Sequence, residues 1–159
     1  MLGFLKGKAK GNFIYSPCKG DLMSLTEVPD PTFAEKMLGD GFAVIPSEGK
    51  IYAPSDGEIT TVFETRHAIC MTNTMGVELL IHVGLDTVTL KGEAFTVHVS
   101  EGDQVKKGDL LMDVDLEKIQ AAGLHTVTPV IICNTDDFAH IDLQKEGSVT
   151  NEDEVLKIS

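Results

Sequence analysis

Apolar residues recur at every second position through Gly76-Val77-Glu78-Leu79-Leu80-Ile81-His82-Val83-Gly84. This period puts Val77, Leu79, Ile81 and Val83 on one face of a strand, and Glu78, Leu80 and His82 on the other. The wholly apolar set faces the core, so His82 points away from it. The strand runs into a turn over Leu85-Asp86-Thr87-Val88. Residues Val62 to Ile69 read as a second strand, with Phe63, Thr65, His67 and Ile69 on one face. If the two strands neighbour one another, two imidazoles meet beside the Thr65 hydroxyl, with Phe63 and Leu80 around them. That set is suited to nucleophilic or metal chemistry, and packing alone does not call for it.

The rest of the pattern is also β-rich. Residues 13–25 read as strand–turn–strand around Ser16-Pro17-Cys18-Lys19-Gly20, and residues 51–62 repeat the unit. Tyr15 matches Tyr52, Pro17 matches Pro54, Gly20 matches Gly57 and Leu22 matches Ile59. The duplication predicts two related β units packed face to face. In each turn the proline sets φ and the glycine supplies the conformation that closes it. Between the units lies a Pro-rich surface loop, then one short helical turn over Thr32 to Leu38, stopped by Gly39. Phe33 and Leu38 there are either anchors to the core or exposed binding residues. Phe95 to Val99 alternates as a strand, and Glu101 to Leu111 gives two tight turns around another. Leu116 to Ala122 reads as a helix ended by Gly123. Thr126 to Cys133 is an apolar strand, and Gly147 to Ile158 gives short strands or a tail. The prediction is an all-β antiparallel sandwich with a duplicated motif and only short helical segments. It comprises one domain over residues 13–159 after a flexible tail over residues 1–12.

Composition narrows the class. The chain has 159 residues, 42% of them hydrophobic, enough for one domain with a substantial core. A net charge of −12 excludes nucleic acid as a partner and favours a basic protein. Three cysteines, Cys18, Cys70 and Cys133, form neither a disulfide framework nor a zinc motif, which predicts reduced thiols in the cytoplasm. Cys133 ends an apolar run and is expected to be a buried small hydrophobe. The apolar part of Met1-Leu2-Gly3-Phe4-Leu5-Lys6 is too short for a signal peptide, and no run reaches transmembrane length. Lys6, Lys8 and Lys10 beside Leu2, Phe4 and Leu5 suggest a weak membrane tether, but nearby glycines disfavour a helix and no stable insertion is expected.

Longer motifs carry a family resemblance. They are Phe33-Ala-Glu-Lys36, Gly39-Asp-Gly41, Ala53-Pro-x-Asp-Gly57, Phe63-Glu-Thr-Arg-His-Ala68, Gly76 to Val88 and Leu90-Lys-Gly-Glu93. Together they resemble the glucose-type enzyme IIA component of the bacterial phosphoenolpyruvate-dependent sugar phosphotransferase system, from about residue 13 to the end. The resemblance implies an antiparallel β-sandwich with a shallow active-site depression. His82 matches the histidine that takes a phosphoryl group from the histidine phosphocarrier protein and passes it to a cysteine of an enzyme IIB domain. His67 matches the second histidine, and Thr65 the threonine that hydrogen-bonds it. Phe33, Leu38 and Val88 match positions around the depression. With Phe63 and Leu80 they form an apolar collar for partners, ringed by Asp30 and Asp86 as steering carboxylates. The sequence departs from the family pattern at Arg66, where a small polar residue is expected; alternation points it away from the site. It also departs in being an isolated chain, where many relatives are fused to IIB and IIC domains.

A neutral imidazole is a nucleophile near pH 7, and a neighbouring imidazole N–H can stabilise phosphoryl oxygens. His98, His125 and His140 lack such surroundings and read as structural. No His-x-His pair supports a resident catalytic zinc like that of lysostaphin-type endopeptidases, which share the duplicated architecture. No cofactor is required; the family instead implies an opportunistic zinc held by His67 and His82 and shared with a partner carboxylate. A biotinyl carrier is excluded because no Met-Lys dipeptide follows the Glu101-Gly-Asp turn motif. The competing class is a regulatory protein that inhibits transporters or kinases when unphosphorylated.

Overall fold

The computed structural model describes residues 12–159. The expected tail falls mostly outside these residues, but Asn12, counted with it, is already strand and hydrogen-bonded to Asn73. Fourteen strands follow in order: β1 Asn12–Tyr15, β2 Gly20–Ser24, β3 Asp40–Pro46, β4 Lys50–Tyr52, β5 Gly57–Val62, β6 Ala68–Asn73, β7 Glu78–His82, β8 Phe95–Val97, β9 Gln104–Val105, β10 Leu110–Val114, β11 Thr128–Ile132, β12 Ile141–Leu143, β13 Gly147–Val149 and β14 Glu154–Ile158. Every strand pairing is antiparallel. Eight strands form one sheet in the order β13-β2-β3-β11-β7-β6-β5-β9. Two three-stranded sheets, β1-β14-β12 and β4-β10-β8, complete the barrel-like sandwich.

Alternation along β7 works as the sequence predicts. Leu79 and Ile81 are fully buried, while Glu78, Leu80 and His82 turn to the other face. The inner set joins Phe42, Ile59, Ile69, Met71 and Val130 of the large sheet against Ile14, Ile51, Met112 and Leu156 of the small sheets. Side chains of this size buried in contact are worth about 2–5 kcal/mol each against truncation to alanine. The outer face carries a second apolar cluster around Leu25, Val28, Phe33, Leu85 and Ile131, with Leu80 packed against it. That cluster seats the segment between β2 and β3 beside the end of β7.

The duplication is real and makes reciprocal contacts. Tyr15 N–H donates to the Pro54 carbonyl at 2.9 Å, and Tyr52 N–H to the Pro17 carbonyl at 2.6 Å. The repeats do not stack face to face: β2 and β5 share the large sheet, while β1 and β4 enter different small sheets. Nor do Gly20 and Gly57 supply a left-handed turn. A side chain at either would collide with the carbonyl of the adjacent strand, at Ile45 and Thr72 respectively, so glycine permits close approach.

Four further expectations change. Val62 to Ile69 is not one strand: β5 ends at Val62, β6 starts at Ala68, and residues 63–67 form the connecting turn. The turn closes through Phe63 N–H to the Ala68 carbonyl and Arg66 N–H to the Phe63 carbonyl, with Arg66 left-handed at φ 60°. It carries no glycine or proline to mark a turn, so by sequence it runs on from the strand before it. Arg66 is exposed because of this turn and not because of a pleat. The expected helix over residues 32–38 is shorter, α1 Pro31–Ala34, capped by the Asp30 carboxylate on Thr32 N–H and terminated as Lys36 turns left-handed. Strand β3, not foreseen, lies near the centre of the large sheet. Cys133 is exposed, because its position just past β11 turns it out of the core. The predicted helix after β10 is present as α2 Leu116–Ala121.

Candidate active site

The two histidines meet at one end of the large sheet. Ala68, the first residue of β6, lies opposite His82, the last of β7. His67 directly precedes that pair, and its carbonyl accepts from Val83 N–H at 2.8 Å. The rings stand edge to face, with centroids 4.9 Å apart and planes at 83°. The expected meeting of the two histidines thus comes about by the pairing of β6 with β7, with His67 in the turn before β6 and not on a strand.

Each imidazole is held through Nδ1. In His82 this nitrogen lies 2.8 Å from the Gly84 carbonyl oxygen. A carbonyl only accepts, so Nδ1 carries the proton and Nε2 carries the lone pair. In His67, Nδ1 lies 2.7 Å from Thr65 Oγ1. When Thr65 donates, the His67 proton sits on Nε2. His67 is buried at 4% exposure. Burial, with His82 as a weaker neighbour, brings its basicity down to about 4. Burial also lowers the basicity of His82, opposed by the Gly84 carbonyl, the Asp30 and Asp86 carboxylates and its own carbonyl. Both rings are thereby kept neutral near pH 7.

The flanking residues divide into supports and exposed groups. Phe33, buried at 5%, packs its ring 5.0 Å from that of His82, so it supports the site from the outer-face cluster. The Phe63 ring meets His67 edge-on at 5.5 Å while 37% of the residue stays exposed. Leu80 is half-buried two residues before His82 on the same face. Leu38 and Val88 are exposed apolar residues, at 45% and 47%. Leu38 lines a hollow with Met37, Asp40, Cys133 and Asp136, while Val88 follows Asp86 in the short 3-10 helix Thr87–Leu90. Asp30 and Asp86 both act on His82 electrostatically. Met37, at 69% exposure, and the Gly84 carbonyl were not singled out by sequence reasoning. A glycine two residues after His82 was the available signal.

His98 sits elsewhere, bonded to Asp113, and His125 Nδ1 accepts from Val127 N–H. Among the described residues no group of three or more His, Cys, Asp or Glu side chains could hold a metal. His67 and His82 offer two nitrogens at most. The donor set does not fit a resident zinc and is compatible only with an ion completed by outside ligands. No helix among the described residues is long and apolar enough to cross a membrane.

Residues 12–138 match the family of the phosphoenolpyruvate-dependent sugar phosphotransferase system, EIIA 1. The chain belongs to that family. This EIIA protein is a phosphotransferase component, a carrier of phosphoryl groups. It is 52% identical over 131 residues to the glucose-specific EIIA component of Halalkalibacterium halodurans, covering 82% of this chain and 76% of that protein. It is 46% identical over 146 residues to the beta-glucoside-specific EIIBCA component of Bacillus subtilis, covering 92% of this chain but 24% of that protein. The EIIA chain thus spans about a quarter of that longer relative. Its fold matches glucose permease IIA from Mycoplasma capricolum with a TM-score of 0.86 and 37% identity, over 91% of this chain and 94% of that one.

Proposed function

We propose that His82 Nε2 is the atom that carries the phosphoryl group. The observation behind this reading is the Nδ1 contact with the Gly84 carbonyl, which leaves Nε2 as the nucleophilic nitrogen. The lone pair of Nε2 attacks the phosphorus of a phosphohistidine on the histidine phosphocarrier protein. A new N–P bond forms as the donor's N–P bond breaks, and that electron pair stays with the donor imidazole. The Nδ1 proton remains on His82, where the Gly84 carbonyl stabilises the positive charge gained by the ring. With Thr65 donating to its Nδ1, His67 donates its Nε2 proton as a hydrogen bond to the phosphoryl oxygens. The group then passes to a cysteine of an enzyme IIB domain; fusion of EIIA to B and C components in relatives supports this acceptor.

Asp30 and Asp86 steer basic partners, while Phe63, Leu38 and Val88 contact them. Phe33 and Leu80 back this surface from beneath. A glucose-type sugar is the substrate class suggested by the relatives. Three free thiols accord with a reducing cytoplasm. A zinc between His67 and His82 would need carboxylate or water ligands from a docked partner, since this chain offers only two donors. Incubation with phosphoenolpyruvate, enzyme I and the phosphocarrier should add one phosphoryl group by mass, acid-labile and absent from His82→Ala. Acid-labile phosphate retained on His82→Ala would overturn the assignment.

A further inference from the structure

We propose that Thr87 is a positioning residue for phosphoryl transfer, its hydroxyl aiming the Gly84 carbonyl at His82. The inference rests on the reading that His82 Nε2 is the acceptor. It starts from the two peptide groups that flank the Gly84 α-carbon. The first contains the Val83 carbonyl, which accepts from the Thr87 hydroxyl. The second contains the Gly84 carbonyl and Leu85 N–H. Its N–H donates to the His125 carbonyl at 3.0 Å, while its carbonyl meets His82 Nδ1 at 2.8 Å on the opposite side. A peptide plane has no freedom between its C=O and N–H, so these two bonds set its rotation as long as the preceding peptide, held by Thr87, stays in place.

Gly84 itself is left-handed at φ 80°, a conformation that leaves the chain easily turned unless its neighbours hold it. Thr87 and His125 are those neighbours. A side chain on Gly84 would come within 2.5 Å of Thr87 Cγ2 and 2.9 Å of the His125 carbonyl oxygen. Thr87 therefore does two separable things: its methyl covers the glycine and its hydroxyl pins the preceding peptide. Thr87 is fully buried and opens the 3-10 helix Thr87–Leu90. The preceding Asp86 is left-handed and makes no side-chain cap, so its carboxylate is not engaged in holding the helix. Val83 N–H meanwhile binds the His67 carbonyl, so one residue ties the Thr87 hydroxyl to the backbone of both histidines.

The consequence is a choice of tautomer. With the Gly84 carbonyl in place, the Nδ1–H form of His82 is favoured and Nε2 keeps its lone pair. Without the Thr87 hydroxyl the Val83–Gly84 peptide is free to turn about the Gly84 α-carbon, the adjoining Gly84 carbonyl loses its set angle to His82, and the Nε2–H form, which cannot attack, gains population. Thr87→Val keeps the shape and removes the hydroxyl; Thr87→Ser keeps the hydroxyl and removes the methyl. Nitrogen-15 spectra of the imidazoles in the unphosphorylated protein report the tautomer of His82. Rapid-quench measurement reports acceptance from the phosphorylated phosphocarrier. Thr87→Val should lose Nδ1–H population and slow acceptance roughly 10–100-fold, the size expected for an outer partner of a functional histidine. Thr87→Ser should stay within about threefold of wild type on the same scale.

A wild-type tautomer and rate in Thr87→Val would overturn the proposal, as would a serine variant as impaired as the valine one. A shifted tautomer with an unchanged rate would also overturn it. Should Thr87→Val not fold, Thr87→Ser against Thr87→Ala makes the same comparison, because both lose the methyl and differ in the hydroxyl. If His82→Ala still accepts the phosphoryl group, the acceptor reading fails; the tautomer comparison still decides whether Thr87 aims the carbonyl.

Discussion

Two imidazole clusters on this molecule use the same residue type to opposite ends. His98, just past β8, places Nε2 2.6 Å from an Asp113 oxygen, whose other oxygen binds Lys50 at 2.7 Å. All three side chains are 39–48% exposed. Lys50 first, then His98, hold the Asp113 carboxyl below the usual carboxylate range. His67 and His82 instead pair with a hydroxyl and a backbone carbonyl, and burial holds both neutral. A carboxylate partner stabilises imidazolium, which has no lone pair to attack phosphorus. A hydroxyl or amide partner orients the ring without charging it. Burial and partner type, not the presence of histidine, separate the proposed nucleophile from a surface histidine bonded to a carboxylate.

The sharpest way to break this contrast is to exchange the losses. His82→Ala should abolish acid-labile phosphorylation, whereas His98→Ala should be phosphorylated at the wild-type rate. Equal loss in both would mean that the second cluster takes part in the chemistry. Next in size is His67→Gln, which should still accept the group but pass it to IIB roughly 100-fold more slowly, as expected when one positioned proton donor is removed. Single-turnover measurement of both half-reactions checks this; wild-type rates in both would make His67 a packing residue.

A smaller effect is the pH dependence of stability. The unfolded chain protonates His67 near its ordinary 6.5, but the folded protein resists until about 4. The unfolded state therefore binds more protons between those values. The stabilisation from a neutral His67 is complete above about 6.5 and is lost as pH falls towards about 4. Urea unfolding across this window should show wild type losing stability more steeply than His67→Gln. Parallel curves would contradict the neutral, buried state.

The smallest effect is expected at the rim. Asp86→Asn should lower the association rate with the phosphocarrier a few-fold at low salt, and the deficit should shrink as the Debye length shortens. Stopped-flow measurement across ionic strength decides between this and a salt-independent loss, which would make Asp86 part of the histidine environment. Phe33→Ala does not test docking alone. Its ring is buried against His82, so the change should destabilise the protein by about 3–5 kcal/mol as well.

Local pattern by itself determined a large share of this protein. The β class, the faces of β7, the turn signals around Pro17 and Pro54, and the helix ended by Gly123 depend on short-range sterics and period-two burial. All were legible in the sequence. The motifs around His67 and His82 also carried the family. Only the tertiary structure decided how these pieces meet. The stretch from Phe63 to His67 carries no glycine or proline to mark a break, yet the pairing of Val62 with Ile69 and a left-handed Arg66 make it a turn. Strand β3 is covered on both faces, Phe42 and Val44 by the main core and Ala43 by the second cluster, so Phe42-Ala43-Val44 shows no alternation to read. Gly20 and Gly57 answer to the next strand's carbonyl and not to their own turn. Phe33 becomes a support for His82 through packing that no spacing specifies. The Gly84 carbonyl lies against His82 with Leu85 N–H bonded to the His125 carbonyl, a contact between residues far apart in the chain, and with the preceding peptide bonded to Thr87. Hydrogen-bond donors and acceptors on the backbone are identical at every residue, so their partners are set by the fold and not by the letters.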